Sequence, residues 1–96
     1  MFTKVLVAED FDTINIAVNQ TLTTLNVAEI DHAKYCDDAV LMLKKALHNK
    51  QPYQLLICDL SFKADKRQVK IINGEELIAK AKLLQPDIKV IVYSIE

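Results

Sequence analysis

Only one glycine, Gly74, stands among the 96 residues. That scarcity excludes the glycine-rich phosphate loops of Rossmann and Walker type, which need several residues without a Cβ so that backbone amides can wrap a phosphate. Cysteine is also scarce. Cys36 and Cys58 are too few for a disulfide framework and lack the spacing of a metal site. Cys58 lies inside an apolar run and reads as a small core residue. No apolar run approaches the roughly 20 residues that span a bilayer, and no signal-peptide pattern opens the chain. Cation excess is missing too: 12 Lys and Arg stand against 13 Asp and Glu, for a net charge of −1. Such a balance argues against a nucleic-acid-binding or membrane-binding surface on this chain. There is no tryptophan, and Tyr35, Tyr53 and Tyr93 are too scattered to form a stacking surface. A reducing, cytoplasmic setting is expected. If the chain handles phosphate, it must do so with side chains and a metal.

What is present is a small, core-forming single domain, half of whose residues are hydrophobic (51%). Short apolar runs alternate with stretches of helical periodicity. Lys4 to Ala8 reads as a first strand, and Asp12 or Thr13 can cap the helix after it. Ile14, Val18, Leu22 and Leu25 form that helix's apolar stripe. Ala28 to Ala33 alternates partially, as an edge strand does. Asp37 or Asp38 opens a second helix that buries Ala39, Val40, Leu43, Ala46 and Leu47, and Pro52 closes the connection. Gln54 to Cys58 is the third strand. A third helix starts near Gly74 or Glu75 and presents Leu77, Ile78, Ala81 and Leu84. Lys89 to Tyr93 is the fourth strand. Strands alternating with helices imply crossover units, a parallel sheet and an open three-layer α/β sandwich.

In such a sheet ligands bind beyond the carboxyl ends of the strands. Glu9 and Asp10 follow the first strand directly, and Asp59 follows the third. Two carboxylates about 4 Å apart repel by about 4 kcal/mol at an effective dielectric near 20. A hard cation with oxygen ligands offsets that repulsion best. Taken singly, each acid has a bland reading: a solvated loop, a helix cap or a turn former. Their joint placement at aligned strand ends favours a site. A serine after a strand, as Ser94 is, is commonplace. His32 and His48 lack a second histidine at ligand spacing and read as structural.

These residues resemble the response-regulator receiver domains of bacterial two-component signalling. The resemblance rests on Glu9-Asp10, on Asp59, on Ser94, and on the frames Val5-Leu6-Val7-Ala8 and Leu55-Leu56-Ile57-Cys58-Asp59-Leu60. It covers the whole chain, and the family pattern continues past it. It implies a flavodoxin-like fold with strand order 2-1-3-4-5, here cut to 2-1-3-4. It also implies that Asp59 accepts a phosphoryl group from a histidine kinase. Mg²⁺ would be held by Asp10 and Asp59 directly, by Glu9 through water, and by the backbone carbonyl of Ser61. Ser94 would donate its hydroxyl to the phosphoryl group and act as the switch. Many receivers precede a DNA-binding output domain, so transcription regulation by a segment after residue 96 is one expectation.

The chain departs from the family pattern in three ways. The lysine after strand five has no counterpart before Glu96. The aromatic switch residue on strand five is absent, as are the fourth and fifth helices. Ile95 stands where a small residue is usual. The expectation is a truncated receiver whose phosphorylation is slow or lost while Mg²⁺ binding survives, and whose exposed strand Val90 to Tyr93 promotes self-association. The stretch from Phe62 to Asn73 carries Lys63, Lys66, Arg67 and Lys70 against Asp65 alone and reads as a solvated insertion. An alternative has it overhang the acidic pocket and select the partner or bring a cation toward the phosphate. Two other functions compete. A Mg²⁺-dependent phosphatase with an aspartate nucleophile, of the haloacid-dehalogenase type, would need a second Asp two residues after Asp59, where Ser61 stands. A degenerate receiver acting only as an interaction module has no reason to gather three acids.

Overall fold

The structure is a computed structural model that describes residues 2–59 and 74–93. Its elements alternate as the apolar runs require: β1 (Lys4–Ala8), α1 (Asp12–Thr24), β2 (Glu29–Ala33), α2 (Cys36–His48), β3 (Leu55–Asp59), α3 (Gly74–Leu84) and β4 (Lys89–Tyr93). All strand pairs are parallel, and the sheet order is β2-β1-β3-β4. This is a flavodoxin-like α/β sheet with the strand order expected from the sequence.

The two central strands are buried on both faces, which is why they read as unbroken apolar runs. Alternation along them sends Leu6, Ala8, Leu56 and Cys58 to one face, where α2 and α3 supply Ala39, Leu43, Leu77 and Ala81. Val5, Val7, Leu55 and Ile57 point to the other face, toward Leu22 of α1. The outer strands are wetter. On β4, Ile91 is 51% and Val92 is 42% exposed.

Element ends differ in detail from the sequence reading. Neither Asp12 nor Thr13 caps α1. The cap position is Phe11, which makes no side-chain cap bond, while its carbonyl accepts the Asn15 amide at 3.0 Å. Asp12 instead pairs with Lys34 at 2.8 Å. Helix α2 starts at Cys36, behind a Tyr35 cap, with Asp37 and Asp38 inside its first turn, where acids suit the helix dipole. Leu25, placed on the apolar stripe of α1, is 58% exposed.

With glycine so scarce, two helices turn on other residues. Asn26 (φ 64°) and Lys50 (φ 60°) both adopt the left-handed conformation just past α1 and α2. In each case the next two amides reach back to the last helical carbonyls: Asn26 to Thr23 and Val27 to Leu22, then Lys50 to Leu47 and Gln51 to Ala46.

Gly74 is needed for a different reason. It opens α3 against the end of β3, and a Cβ there would stand 2.4 Å from the Asp59 carbonyl oxygen and 3.2 Å from the Cys58 Sγ. The sole glycine therefore lets the third helix start in contact with the strand end that carries Asp59.

Among the described residues, no helix is long and apolar enough to cross a membrane.

Candidate functional site

The carboxyl ends of β1 and β3 lie side by side, because these strands pair in register from Val5 with Leu55 to Ala8 with Cys58. Strand β1 hands its next residue, Glu9, to this rim, and β3, expected to stop at Cys58, runs one residue further and ends there on Asp59. The β1–β2 ladder continues one residue past β1, with the Glu9 amide donating to the Ala33 carbonyl at 3.0 Å. Glu9 is thus fixed by the sheet itself. Its side chain is buried (0% exposed), as is that of Asp59 (1%), while Asp10 is exposed.

Three of the residues singled out in the sequence converge. One carboxylate oxygen from each of Glu9, Asp10 and Asp59 lies within 4.8 Å of the other two. Two buried acids and one exposed acid at this spacing form a pocket of anionic oxygens open on one side. The donor set suits a hard divalent cation, since every side-chain ligand on offer is an oxygen and Mg²⁺ commonly binds through one or two carboxylates while keeping several waters. Ser61, Ser94, Ile95 and the basic stretch 62–73 lie outside the described residues.

Glu9 is held closely. Its Oε2 accepts the backbone amides of Asp10 at 2.8 Å and Phe11 at 3.1 Å. Its Oε1 accepts a hydrogen bond from the Tyr93 hydroxyl. Its backbone carbonyl accepts Nδ2 of Asn15 at 3.0 Å, and Oδ1 of Asn15 lies 3.1 Å from Nδ1 of His32. His32 thus links β2 to α1 through Asn15 and Asn19.

Burial pushes the Glu9 carboxyl above its usual range. The Tyr93 hydroxyl and the Phe11 amide pull it back, and the nearby Asp10 and Asp59 add to the rise. The Tyr93 phenol is driven far up, first by burial and then by the Glu9 carboxylate, so it is a protonated donor at neutral pH. Burial likewise pushes the Cys58 thiol up to about 12, with Cys36, Asp59 and Glu9 adding to it. The thiol sits next to Asp59 as an inert core group.

Sequence reasoning missed Tyr93. It treated the residue as the end of a strand and one of three scattered tyrosines. The signal that could have found it was its register: Tyr93 pairs with Asp59 across β3 and β4. A phenol at that position carries a hydroxyl on a rigid ring toward the rim where the acids gather.

No family model and no curated protein sequence matches the chain. Solved structures do. The receiver domain of the histidine kinase CKI1 from Arabidopsis thaliana, as a D1050A mutant, superposes with a TM-score of 0.78 at 14% identity, covering 96% of this chain and 65% of that one. The fold is that of a receiver domain. The response regulator MaeR, bound to beryllium trifluoride, matches this receiver fold at TM-score 0.72 and 20% identity, over 98% of this chain and 68% of its own. RcsB from Salmonella enterica serovar Typhimurium, bound to promoter rprA in the presence of phosphomimetic BeF₃⁻, gives 0.65 and 22%, over 96% of this chain and 42% of its own. This chain therefore spans about two thirds of the length of the MaeR and CKI1 chains it matches.

Proposed function

We propose that this chain is a phosphoacceptor domain of two-component signalling, taking a phosphoryl group on Asp59 from a histidine kinase. One observation carries the proposal: the carboxylates of Glu9, Asp10 and Asp59 meet within 4.8 Å at the carboxyl rim of a receiver fold. One matching structure, the CKI1 receiver, is complexed with Mg²⁺ and BeF₃⁻. RcsB is bound to a promoter, and a DNA-binding output in a longer protein is the corresponding proposal here.

Asp10, Asp59 and Glu9, with the Ser61 carbonyl, are the residues that would hold Mg²⁺. The ion would supply neutralisation of the charge that builds up when a phosphoryl group approaches three acids. The chain's own contribution is positional. An Asp59 oxygen attacks phosphorus, the bond between phosphorus and the donor's leaving group breaks, and that group departs with its electron pair. A carboxylate is a weak nucleophile, and phosphoryl transfer asks mainly for placement and electrostatics. Asp59 is placed by the central strand β3, whose neighbours on both sides are strands. The close start of α3 at Gly74 packs against its carbonyl. Ser94 would hydrogen-bond the transferred group and report its presence. The local charge event would then bias the surrounding surface between two states, as modification switches do.

The test is incubation with acetyl phosphate and Mg²⁺ followed by intact-mass measurement. A slow gain of one phosphoryl group, absent in Asp59→Asn and absent without the metal, is expected. Steady release of phosphate from small esters would point to a phosphatase instead. Failure of the chain to bind Mg²⁺ would end the proposal.

A further inference from the structure

Tyr93 joins two features of the molecule that lie on different chemical ground. Its hydroxyl donates to Oε1 of Glu9. Its ring lines an apolar groove of about 480 Å³ between α1 and the sheet, along with Val18, Leu22, Ile57 and Ile91. An ionised carboxylate offers about four acceptor sites. In Glu9 two are taken by the amides of Asp10 and Phe11 on Oε2, and a third by Tyr93 on Oε1. The Asp10 side chain also lies within hydrogen-bond reach of this carboxylate, so little acceptor capacity is left over. The two amides alone fix one oxygen and leave the carboxylate plane free to rock about it; the phenol fixes the second oxygen.

Tyr93 is well suited to this work. A phenol has two side-chain torsions, so holding it costs less rotamer entropy than holding a long polar chain. It sits in a strand that pairs with β3, so the donor and Asp59 are carried on adjacent strands in fixed register. Being neutral, it orients an anion without supplying a competing positive charge.

From this geometry we infer that Tyr93 is a positioning residue for the acidic pocket, its hydroxyl locking the Glu9 carboxylate in the orientation that receives a divalent cation or that cation's bound water. The inference rests on the reading of Glu9, Asp10 and Asp59 as the Mg²⁺ pocket and adds a residue to it. Groups that orient metal-binding side chains from behind typically contribute 10–100-fold to affinity. Because two amides already hold the other oxygen of Glu9, the effect of Tyr93 belongs at the lower end of that range.

The experiment is calorimetric titration of the full chain with Mg²⁺, in parallel with near-ultraviolet difference absorbance. The chain has no tryptophan and three tyrosines, so the near-ultraviolet signal belongs largely to tyrosine. Tyr93→Phe keeps the ring in its groove and removes only the hydroxyl. Expected is about tenfold weaker Mg²⁺ binding in Tyr93→Phe, together with loss of the Mg²⁺-induced tyrosine difference spectrum. Tyr35→Phe and Tyr53→Phe should keep both affinity and spectrum. A merely structural role for the phenol would lower thermal stability and leave the Mg²⁺ affinity in place. Mg²⁺ affinity in Tyr93→Phe within twofold of the parent, or tighter than it, overturns the inference. Asp10→Asn and Asp59→Asn separate the two levels of argument. If the parent binds Mg²⁺ and these variants do not, the pocket stands whatever Tyr93 does. If the parent does not bind, or the variants bind as well as it does, the pocket falls and the role of Tyr93 falls with it.

Discussion

The two faces of the sheet are built to different standards. On one, α2 and α3 close over the strands, and a single cluster of buried side chains runs from Leu6 and Leu56 through Leu43 to Leu77 and Ile88. On the other, α1 is the only helix among the described residues. Leu22 is its only buried residue, and the apolar groove beside it reaches Ile57 and Ile91. The acids sit on the rim between these faces, carried by the two strands that both faces share. Rigidity at the site therefore derives from the central strands and the densely packed face, while the thin face leaves Tyr93 with its ring against open apolar space.

Adjacent residues of β3 provide the sharpest way to break this contrast. Leu56 faces the dense side with no exposure, and Ile57 faces the thin side at 7%. Truncating a buried leucine or isoleucine costs about 2–5 kcal/mol, depending on how well the cavity can collapse or fill. Leu56→Ala should lose about 4 kcal/mol and Ile57→Ala about 2 kcal/mol, measured by urea unfolding with unchanged slope. Equal losses would mean that the two faces carry equal weight and the contrast is wrong.

The next largest effect tests how tightly the dense face is docked to the site. An alanine in place of an exposed helical glycine normally stabilises by about 1 kcal/mol. At Gly74 the added Cβ meets the Asp59 backbone oxygen at 2.4 Å, and neither partner is the end of a flexible side chain. Gly74→Ala should therefore destabilise, by about 2 kcal/mol, as overpacking does. It should also weaken Mg²⁺ binding, because α3 can retreat only by shifting the strand end that carries Asp59. A stabilised variant would show that α3 stands further from β3 than the structure has it.

A third test works through protons at the rim. Burial raises the Glu9 carboxyl above its ordinary 4.5. The folded state therefore binds this proton more tightly than the unfolded state does. Its contribution to stability is fully present below about pH 4.5 and is lost as pH rises through the raised folded value. In cation-free solution Glu9→Gln should flatten that loss and melt higher than the parent at neutral pH, with little difference at pH 4. Added Mg²⁺ should raise the parent's melting temperature at neutral pH and leave Glu9→Gln nearly unmoved. A parent that is most stable at neutral pH without metal, with Glu9→Gln less stable there, would show that the cluster is already satisfied by the protein alone.

The fold was legible because its two central strands are short, almost wholly apolar and punctuated by acids, and because the helical stripes on α2 and α3 repeat cleanly. Glu9, Asp10 and Asp59 were legible for the same reason: strand ends that align in a parallel sheet bring their next residues together, and packing alone does not gather carboxylates there. The caps were not legible. Phe11 occupies the cap position of α1 because Glu9 draws the first amides of the loop inward and Asp12 turns out to Lys34, effects that only tertiary placement decides. Leu25 looked like part of the α1 stripe, yet periodicity cannot tell whether a partner element exists to cover the last turn. Tyr93 was overlooked because its role depends on strand register, which sets it beside Asp59, and a spacing read along one chain does not reveal what lies across a sheet.

The smallest effect compares the two helix ends, one serving each face. Helix α1 passes into its loop through Asn26 and α2 through Lys50, both left-handed and both closed by the same pair of backbone bonds. Asparagine tolerates this conformation because its short amide can bond locally, whereas lysine has no such compensation and bears the clash of its Cβ with the following carbonyl, about 1–2 kcal/mol. Glycine removes that strain but adds freedom to the unfolded chain, which takes back part of the gain. Lys50→Gly should therefore stabilise by about 0.5–1 kcal/mol, and Asn26→Gly by less than half as much, read as shifts of a few degrees in melting temperature. Because α2 belongs to the dense face, releasing strain at Lys50 should slow global unfolding, while the same change at Asn26 should act mainly on local opening of α1. Hydrogen exchange at the Ala46 and Leu22 amides separates the two. Stabilisation confined to α2's own last turn would show that even the dense face is held together helix by helix rather than as one cooperative layer.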